Sequence, residues 1–191
     1  RGMVASVRSP LSLSAAIVVY NSAPQQLLRT LQSLFRAGLA AMAGPQDRLS
    51  IEIVDNASGA DYARQLTAIT RQLPSDPRVE LRINSLSHNG GFGAGHNAAL
   101  QHISSDYHLV LNPDVELEPE VLQVGLSRLE SAADIALISP YATGPDGQQE
   151  YLCKRYPTVW VLLLRAFIPG LGNRFWPRQM AHYQMSDVCG E

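Results

Sequence analysis

Asp114 stands just past the apolar run "YHLVLN" at 107–112, in the sequence Asn112-Pro113-Asp114. A lone carboxylate at a strand end can hold Mg²⁺ or Mn²⁺, because these hard cations keep several waters and complete their shell with substrate phosphates. Its competing role is local, as a turn residue or a cap for the helix that follows. Asp55 ends a second apolar run, "LSIEIVD" at 49–55, where it can accept hydrogen bonds from a nucleobase or ribose, or cap the next helix. Asn21 and Ser22 follow "AAIVVY" at 15–20, Asn56 and Ser58 follow Asp55, and Asn84 ends "RVELRIN" at 78–84. Each of these residues favours turns on its own account. Their recurrence at the end of run after run points to one shared site.

The stretch "SLSHNGGFGAGHNAAL" at 85–100 adds a second kind of chemistry. Gly90, Gly91, Gly93 and Gly95 let the backbone approach a ligand closely or take positive φ, and a helix after them offers N–H groups and a positive dipole end. Such a loop suits a sugar diphosphate. Gly93-Ala94-Gly95-His96-Asn97-Ala98 also fits the dinucleotide fingerprint G-x-G-x-x-G/A, with Asp114 downstream as the ribose contact, so an NAD-dependent oxidoreductase is the main rival. The fingerprint requires its first glycine in the tight turn leaving a strand, and here Gly93 lies nine positions after Asn84. A P-loop is excluded because no Lys-Ser or Lys-Thr follows the glycines. Phe92 is expected to pack beneath the loop. His88, His96, His102 and His108 lack ligand spacing and read as surface residues or supports.

The elements that must position these residues alternate in type. Strands are expected at 15–20, overlapping the apolar stretch 11–19, and at 49–55, 78–84, 107–112 and 135–140. Between them, Leu27, Leu31, Leu34 and Phe35 recur at helical spacing after Pro24, and Tyr62, Leu66, Ile69 and Leu73 do so before Pro74. Helices are also expected from Asn97 to Ile103 and over 119–132, where Leu122, Leu126 and Leu129 share a face. Strands alternating with helices imply an α/β fold with a mainly parallel sheet covered on both faces, whose ligands bind at the carboxyl ends of the strands. "TGPDGQQ" at 143–149 reads as a turn and hairpin tip.

Composition narrows the function classes. The chain has 191 residues, 46% hydrophobic and 17% charged, enough for one ordinary core. A net charge of −2 gives no broad basic field, which argues against nucleic acid as a partner. Cys153 and Cys189 show no zinc spacing and suit a reducing compartment, so the sequon Asn56-Ala57-Ser58 reads as chance. Residues 11–19 lack a cleavage pattern and read as a strand instead of a signal peptide. The apolar run at 158–168, interrupted by Arg165, is too short to span a bilayer and reads as a core or partner-facing helix. It is the one candidate for a peripheral contact with the inner face of a membrane by an otherwise cytoplasmic chain.

Four segments together, "AAIVVYNSAPQQLLRTLQSL", "IEIVDNASGA", "NGGFGAGHNAAL" and "LVLNPDVELEPEVL", resemble the nucleotide-sugar half of family 2 inverting glycosyltransferases, which have the Rossmann-like GT-A fold. Among these the resemblance is to rhamnosyltransferase-like members that build bacterial surface polysaccharides. It covers residues 14–140, after a tail at 1–13 and before an acceptor-side region beginning at 141. It implies that Val19, Tyr20, Asn21 and Ser22 border the nucleotide and that Asp55 and Asn56 contact base or ribose. Asn89, Gly90, Gly91, Phe92, Gly93 and Asn97 would lie near the diphosphate or sugar. Asn112-Pro113-Asp114 takes the place of the family's D-x-D, with Asp114 the metal ligand and Asn112 a departure shared with rhamnosyltransferase-like sequences.

The resemblance further implies a dTDP- or UDP-linked sugar donor, a divalent Mg²⁺ or Mn²⁺ cofactor, and a glycan or lipid-linked acceptor. The family's general base, a carboxylate in a Glu-Asp motif, is expected beyond Glu191, since neither Asp187 nor Glu191 sits in an equivalent motif. A non-catalytic nucleotide-binding module is therefore an alternative for this chain. A sugar-nucleotide pyrophosphorylase is disfavoured, because "VVYNSAPQQ" has neither the glycine nor the lysine of its phosphate loop.

Overall fold

A computed structural model describes residues 9–140, 142–144 and 149–150. The chain divides into two compact units, Arg1–Ser127 and Arg128–Glu191. In the first, strands β1 (Ser12–Val19), β2 (Arg48–Asp55), β3 (Val79–Ser85) and β4 (Tyr107–Leu111) alternate with helices α1 (Pro24–Ala41), α2 (Ala60–Thr70) and α3 (Gly91–Leu100). Helix α4 (Val121–Ser131) follows β4.

The four strands form one parallel sheet in the order β3-β2-β1-β4. Its central position explains the composition of β1, which is apolar on both faces because both are covered. Leu13, Ala15, Ile17 and Val19 point into the main core with Ile51 and Ile53, against α1 and α2. Ala16 and Val18 join Val54 and Ala99 in a smaller core beneath α3. Helix α1 buries Leu27, Leu31, Leu34 and Phe35, the four residues its spacing singled out. Removing each such side chain from water contributes roughly 1.5–3 kcal/mol. Pro24 starts this helix at a position where a missing N–H costs nothing. Helix α2 buries Tyr62, Leu66 and Ile69, while Leu73 lies beyond its end but still packs on the core.

Two sequence expectations need correction. The run at 135–140 is not a strand, and Leu137 is 87% exposed. A β-prone apolar run becomes a strand only where a neighbour accepts its N–H and C=O groups, and among the described residues none pairs with it. The glycine-rich stretch is less of a loop than expected, since α3 starts at Gly91 instead of Asn97 and ends at Leu100, short of Ile103. Glycine disfavours helix interiors, but here it is kept for contact: Gly95 is buried against Val18 so closely that there is no space for a side chain.

In the second unit, β5 (Ala142–Thr143) and β6 (Gln149–Glu150) pair antiparallel, which bears out the hairpin at 143–149. Its tip at 145–148 lies outside the described residues, as do the segment at 158–168, both cysteines, Asp187 and Glu191. No helix among the described residues is long and apolar enough to cross a membrane.

Candidate functional site

Chain order in the sheet reverses at β1, with β2 on one side and β4 on the other. At such a switch point, the loops leaving the two strands part and open a crevice at their carboxyl ends. The loops that flank it carry Tyr20, Asn21 and Ser22 after β1 and Asn112, Pro113 and Asp114 after β4. Val19 is buried with its side chain in the main core, so only its backbone is available at this edge. Tyr20 is 55% exposed and Asn21 is exposed.

Hydrogen bonds lock the β1 and β2 loops together. The Asn56 amide donates to the Val19 carbonyl (2.9 Å), the Asn21 amide to Ser58 Oγ (2.9 Å) and the Ser58 amide to Asp55 Oδ1 (3.0 Å). Asn21 (φ +48°) and Ala57 (φ +65°) both sit in the left-handed region. For a residue with a Cβ such as Ala57 this costs of order 1 kcal/mol or more, and it persists where surrounding bonds dictate it. Asp55 is buried, 2% exposed, and its Oδ2 makes no hydrogen bond among the described residues. That oxygen can only accept, so it suits a ligand offering N–H or O–H. The neighbouring Tyr62 hydroxyl has its pKa raised by burial, with Ser22 opposing the shift and Asp55 adding to it.

The start of α3 is wired to the same edge. Asn56 Nδ2 donates to Asn89 Oδ1 (2.7 Å), which also accepts from the Gly91 amide (2.9 Å), and Asn56 Oδ1 accepts from the Gly90 amide (3.1 Å). Two side-chain amides thus satisfy the first donors of the helix, the service a capping residue performs. Gly91, at φ +85°, makes the turn into the helix that a residue with a Cβ enters only under strain. Gly93 is exposed on the first turn, and Asn97 is exposed farther along the helix. Phe92 does not pack beneath a loop as expected. With the helix starting at Gly91, it lies in an exposed first turn, 52% exposed and edge-on to the His96 ring one turn later on the same side, with centroids 4.4 Å apart.

Asp114 is exposed, and its side chain makes no hydrogen bond or ion pair among the described residues. No three His, Cys, Asp or Glu side chains among those residues could cage an ion. One free carboxylate does fit a cation that takes the rest of its shell from water and phosphate. Asn112 is exposed beside it and carries no charge to contribute.

Sequence reasoning missed two groups. Thr30 and Ser33 lie on the buried face of α1, are fully enclosed, and hydrogen-bond to the loop that carries Asp114. Their signal was present as two small hydroxyl residues interrupting a leucine face. The second is His96, which the sequence left open between a surface residue and a support: it is 6% exposed, with both ring nitrogens unpartnered, and burial together with the nearby His108 lowers its pKa. Burial also lowers the pKa of His108, whose Nδ1 lies 2.8 Å from Ser14 Oγ, with Glu52 opposing the shift. His88 and His102 are exposed, as expected.

These two histidines have a consequence for pH. Because both pKa values fall on folding, the unfolded chain binds more protons below the ordinary histidine value of 6.5. The stability they contribute is fully present above that pH and is lost as pH falls through 6.5 toward the lowered values. Thermal unfolding at pH 7.5 and 5.5 is expected to show a lower Tm at the acid pH, with His96→Leu narrowing the difference.

A cavity of about 480 Å³ opens on the α3 face nearer the strand starts, lined in part by Ser14, Glu52, Arg82 and His108. It lies away from the carboxyl edge, and its Arg82 is already paired with Glu80 (2.7 Å). The hydrogen-bonded polar loops lie at the opposite, carboxyl ends of the strands.

A four-stranded parallel sheet in the order β3-β2-β1-β4, flanked by helices, is an α/β fold of the GT-A type. The description "Glycosyl transferase family 2" matches residues 14–187, and the chain belongs to that family. Among solved structures, it is similar to a mannosyltransferase from Pyrobaculum calidifontis in complex with GDP-Man and Mn²⁺ (17% identity, TM-score 0.51), with 63% of this chain and 33% of that one covered. S. aureus TarS residues 1–349 in complex with UDP is also similar (21% identity, TM-score 0.48), with 63% and 32% covered. The matched region thus spans about a third of these structures. No curated protein matches the chain significantly.

Proposed function

We propose that this chain carries the donor site of a metal-dependent inverting glycosyltransferase. The observation that carries the reading is the convergence of Asn21, Asp55, Asn56, Asn89 and Asp114 on one carboxyl edge, the first four joined by one hydrogen-bonded loop system. Asp55 accepts from the base or ribose of a nucleoside diphosphate sugar bordered by Val19, Tyr20, Asn21 and Ser22. The first turn of α3, from Asn89 through Gly93, and Asn97 lie toward the diphosphate and sugar, where a helix N-terminus favours negative charge. Asp114 holds Mg²⁺ or Mn²⁺, which when bound supplies charge stabilisation to the departing diphosphate. Deprotonation of the acceptor hydroxyl needs a general base, which is assigned to none of these residues.

The finer reading is a dTDP- or UDP-linked sugar, with rhamnose the candidate, and a glycan or lipid-linked acceptor in bacterial surface polysaccharide synthesis. Its support is Asn112 in the first position of Asn112-Pro113-Asp114. A peripheral membrane contact at 158–168 would serve a lipid-linked acceptor.

The test is thermal unfolding of the chain with dTDP, UDP, GDP, CDP or NAD, each with and without Mn²⁺. A ligand at a hundred times its Kd adds about 2.7 kcal/mol of stability. We expect one nucleoside diphosphate to raise Tm in the presence of Mn²⁺, and Asp114→Ala to abolish that metal-dependent rise. Stabilisation by NAD alone, indifferent to metal, would replace this reading with a dinucleotide site at 93–98.

A further inference from the structure

The geometry points to Thr30 and Ser33 of α1 as positioning residues for the metal-binding carboxylate, an inference that rests on Asp114 holding the cation. The segment between Pro113 and Leu117 is fastened at both ends by these two hydroxyls. Thr30 Oγ1 donates to the Pro113 carbonyl (3.0 Å), sharing its proton with the carbonyl of Gln26 one turn earlier (3.2 Å). Ser33 Oγ accepts from the Leu117 amide (3.0 Å) and donates to the Thr30 carbonyl (2.8 Å). A continuous relay therefore runs from the Leu117 amide through Ser33 to the backbone of α1.

Both hydroxyls are fully buried, and Leu117 is anchored in the main core. A buried carbonyl or amide robbed of its partner suffers the full cost of its desolvation, so this segment has few alternative conformations. Asp114 sits between the two anchors, exposed and itself unbonded. Arg29 adds an outer tie to Glu116 at 2.9 Å, but both side chains are more than half exposed and such a pair contributes little. The side chain that must meet the cation is thus an exposed, unbonded group on a segment anchored on both sides of it. A single carboxylate without protein co-ligands depends on this, since nothing else in the described residues orients it. The two hydroxyls also account for an otherwise costly choice, because leucine or alanine would serve the core of α1 better.

The test uses Thr30→Val, which keeps shape and removes the hydroxyl, Thr30→Ser, which restores it, and Ser33→Ala. Each is titrated with UDP or dTDP, whichever the wild-type chain binds, with and without Mn²⁺, and the Mn²⁺ concentration for half-maximal nucleotide binding is read. Partners that orient a ligating side chain are typically worth 10–100-fold in metal affinity. We expect Thr30→Val and Ser33→Ala to raise the Mn²⁺ requirement about tenfold, while metal-free nucleotide affinity stays unchanged and Thr30→Ser behaves as wild type. Amide exchange at Val115 and Leu117 should quicken in the two hydroxyl-deleted variants.

Three results would overturn the assignment. An unchanged Mn²⁺ requirement would show that the hydroxyls serve the core alone. An equal loss of nucleotide affinity with and without Mn²⁺ would show general damage to the sheet edge. A wild-type chain whose nucleotide binding ignores Mn²⁺ would remove the donor reading itself, and the assignment with it.

Discussion

Leu31→Ala lowers the stability of the chain by about 2–5 kcal/mol, the range for deleting a large aliphatic side chain from a packed core. Leu31 is fully buried, on the same face of α1 as Leu27 and Leu34, opposite strand residues that are themselves fully enclosed. Relaxation into the space left behind is limited, because β1 is held in register on both sides: Ile17 stands between Ile53 and Leu111. The strands cannot close in without breaking ladder hydrogen bonds. Urea unfolding measures the effect as a lower midpoint with an unchanged slope. A loss below about 1 kcal/mol would mean that α1 is far less tightly packed than its burial indicates.

The second large effect is expected at Gly95. Alanine is the better helix former by about 1 kcal/mol, so Gly95→Ala would stabilise α3 if the helix stood alone. In the folded chain the added Cβ would fall 2.6 Å from Val18 Cγ1 and 2.8 Å from its Cγ2. Val18 is a stiff β-branched residue on the central strand and cannot rotate away freely. Overpacking of this kind costs about 1–3 kcal/mol, so the net effect is destabilising despite the gain in propensity. Helix α3 would also be lifted from β1, and its first turn is tied to Asn56 and Asn89. Nucleotide affinity is therefore expected to fall together with stability. Adding Val18→Ala to Gly95→Ala should recover part of both losses, a non-additivity that a double-mutant cycle detects. Full additivity would show that the two residues do not meet.

The His96 result illustrates how a short sequence pattern misleads. A histidine among glycines and asparagines reads as either a surface residue or a support, because polar neighbours in sequence do not say whether the segment is a solvated loop. Once Gly91 opens a helix, the period becomes 3.6, and His96 shares the inward face with Gly95 and Ala99. The run at 135–140 misled in the opposite sense, since its apolar β-branched composition describes what a strand is made of but not whether a neighbour is present to pair with it.

What the sequence by itself determined about this protein is what depends on near neighbours along the chain. The alternation of strand and helix, the leucine face of α1, the start at Pro24, and the placing of Asn21, Asp55 and Asp114 at strand ends all follow from local periodicity and from residues that end strands. Because parallel strands run the same way, those ends had to share an edge once the sheet was parallel. Only the tertiary structure decided which strands are neighbours, that β1 is the switch point, and that Asn56 and Asn89 cap α3 across a gap of more than thirty residues. It alone disclosed that Thr30 and Ser33 hold the Asp114 loop, partners more than eighty residues away in sequence. A hydroxyl on a helix face looks the same in sequence whether it faces water or a carbonyl. The difference lies in the distant backbone group that folding brings against it.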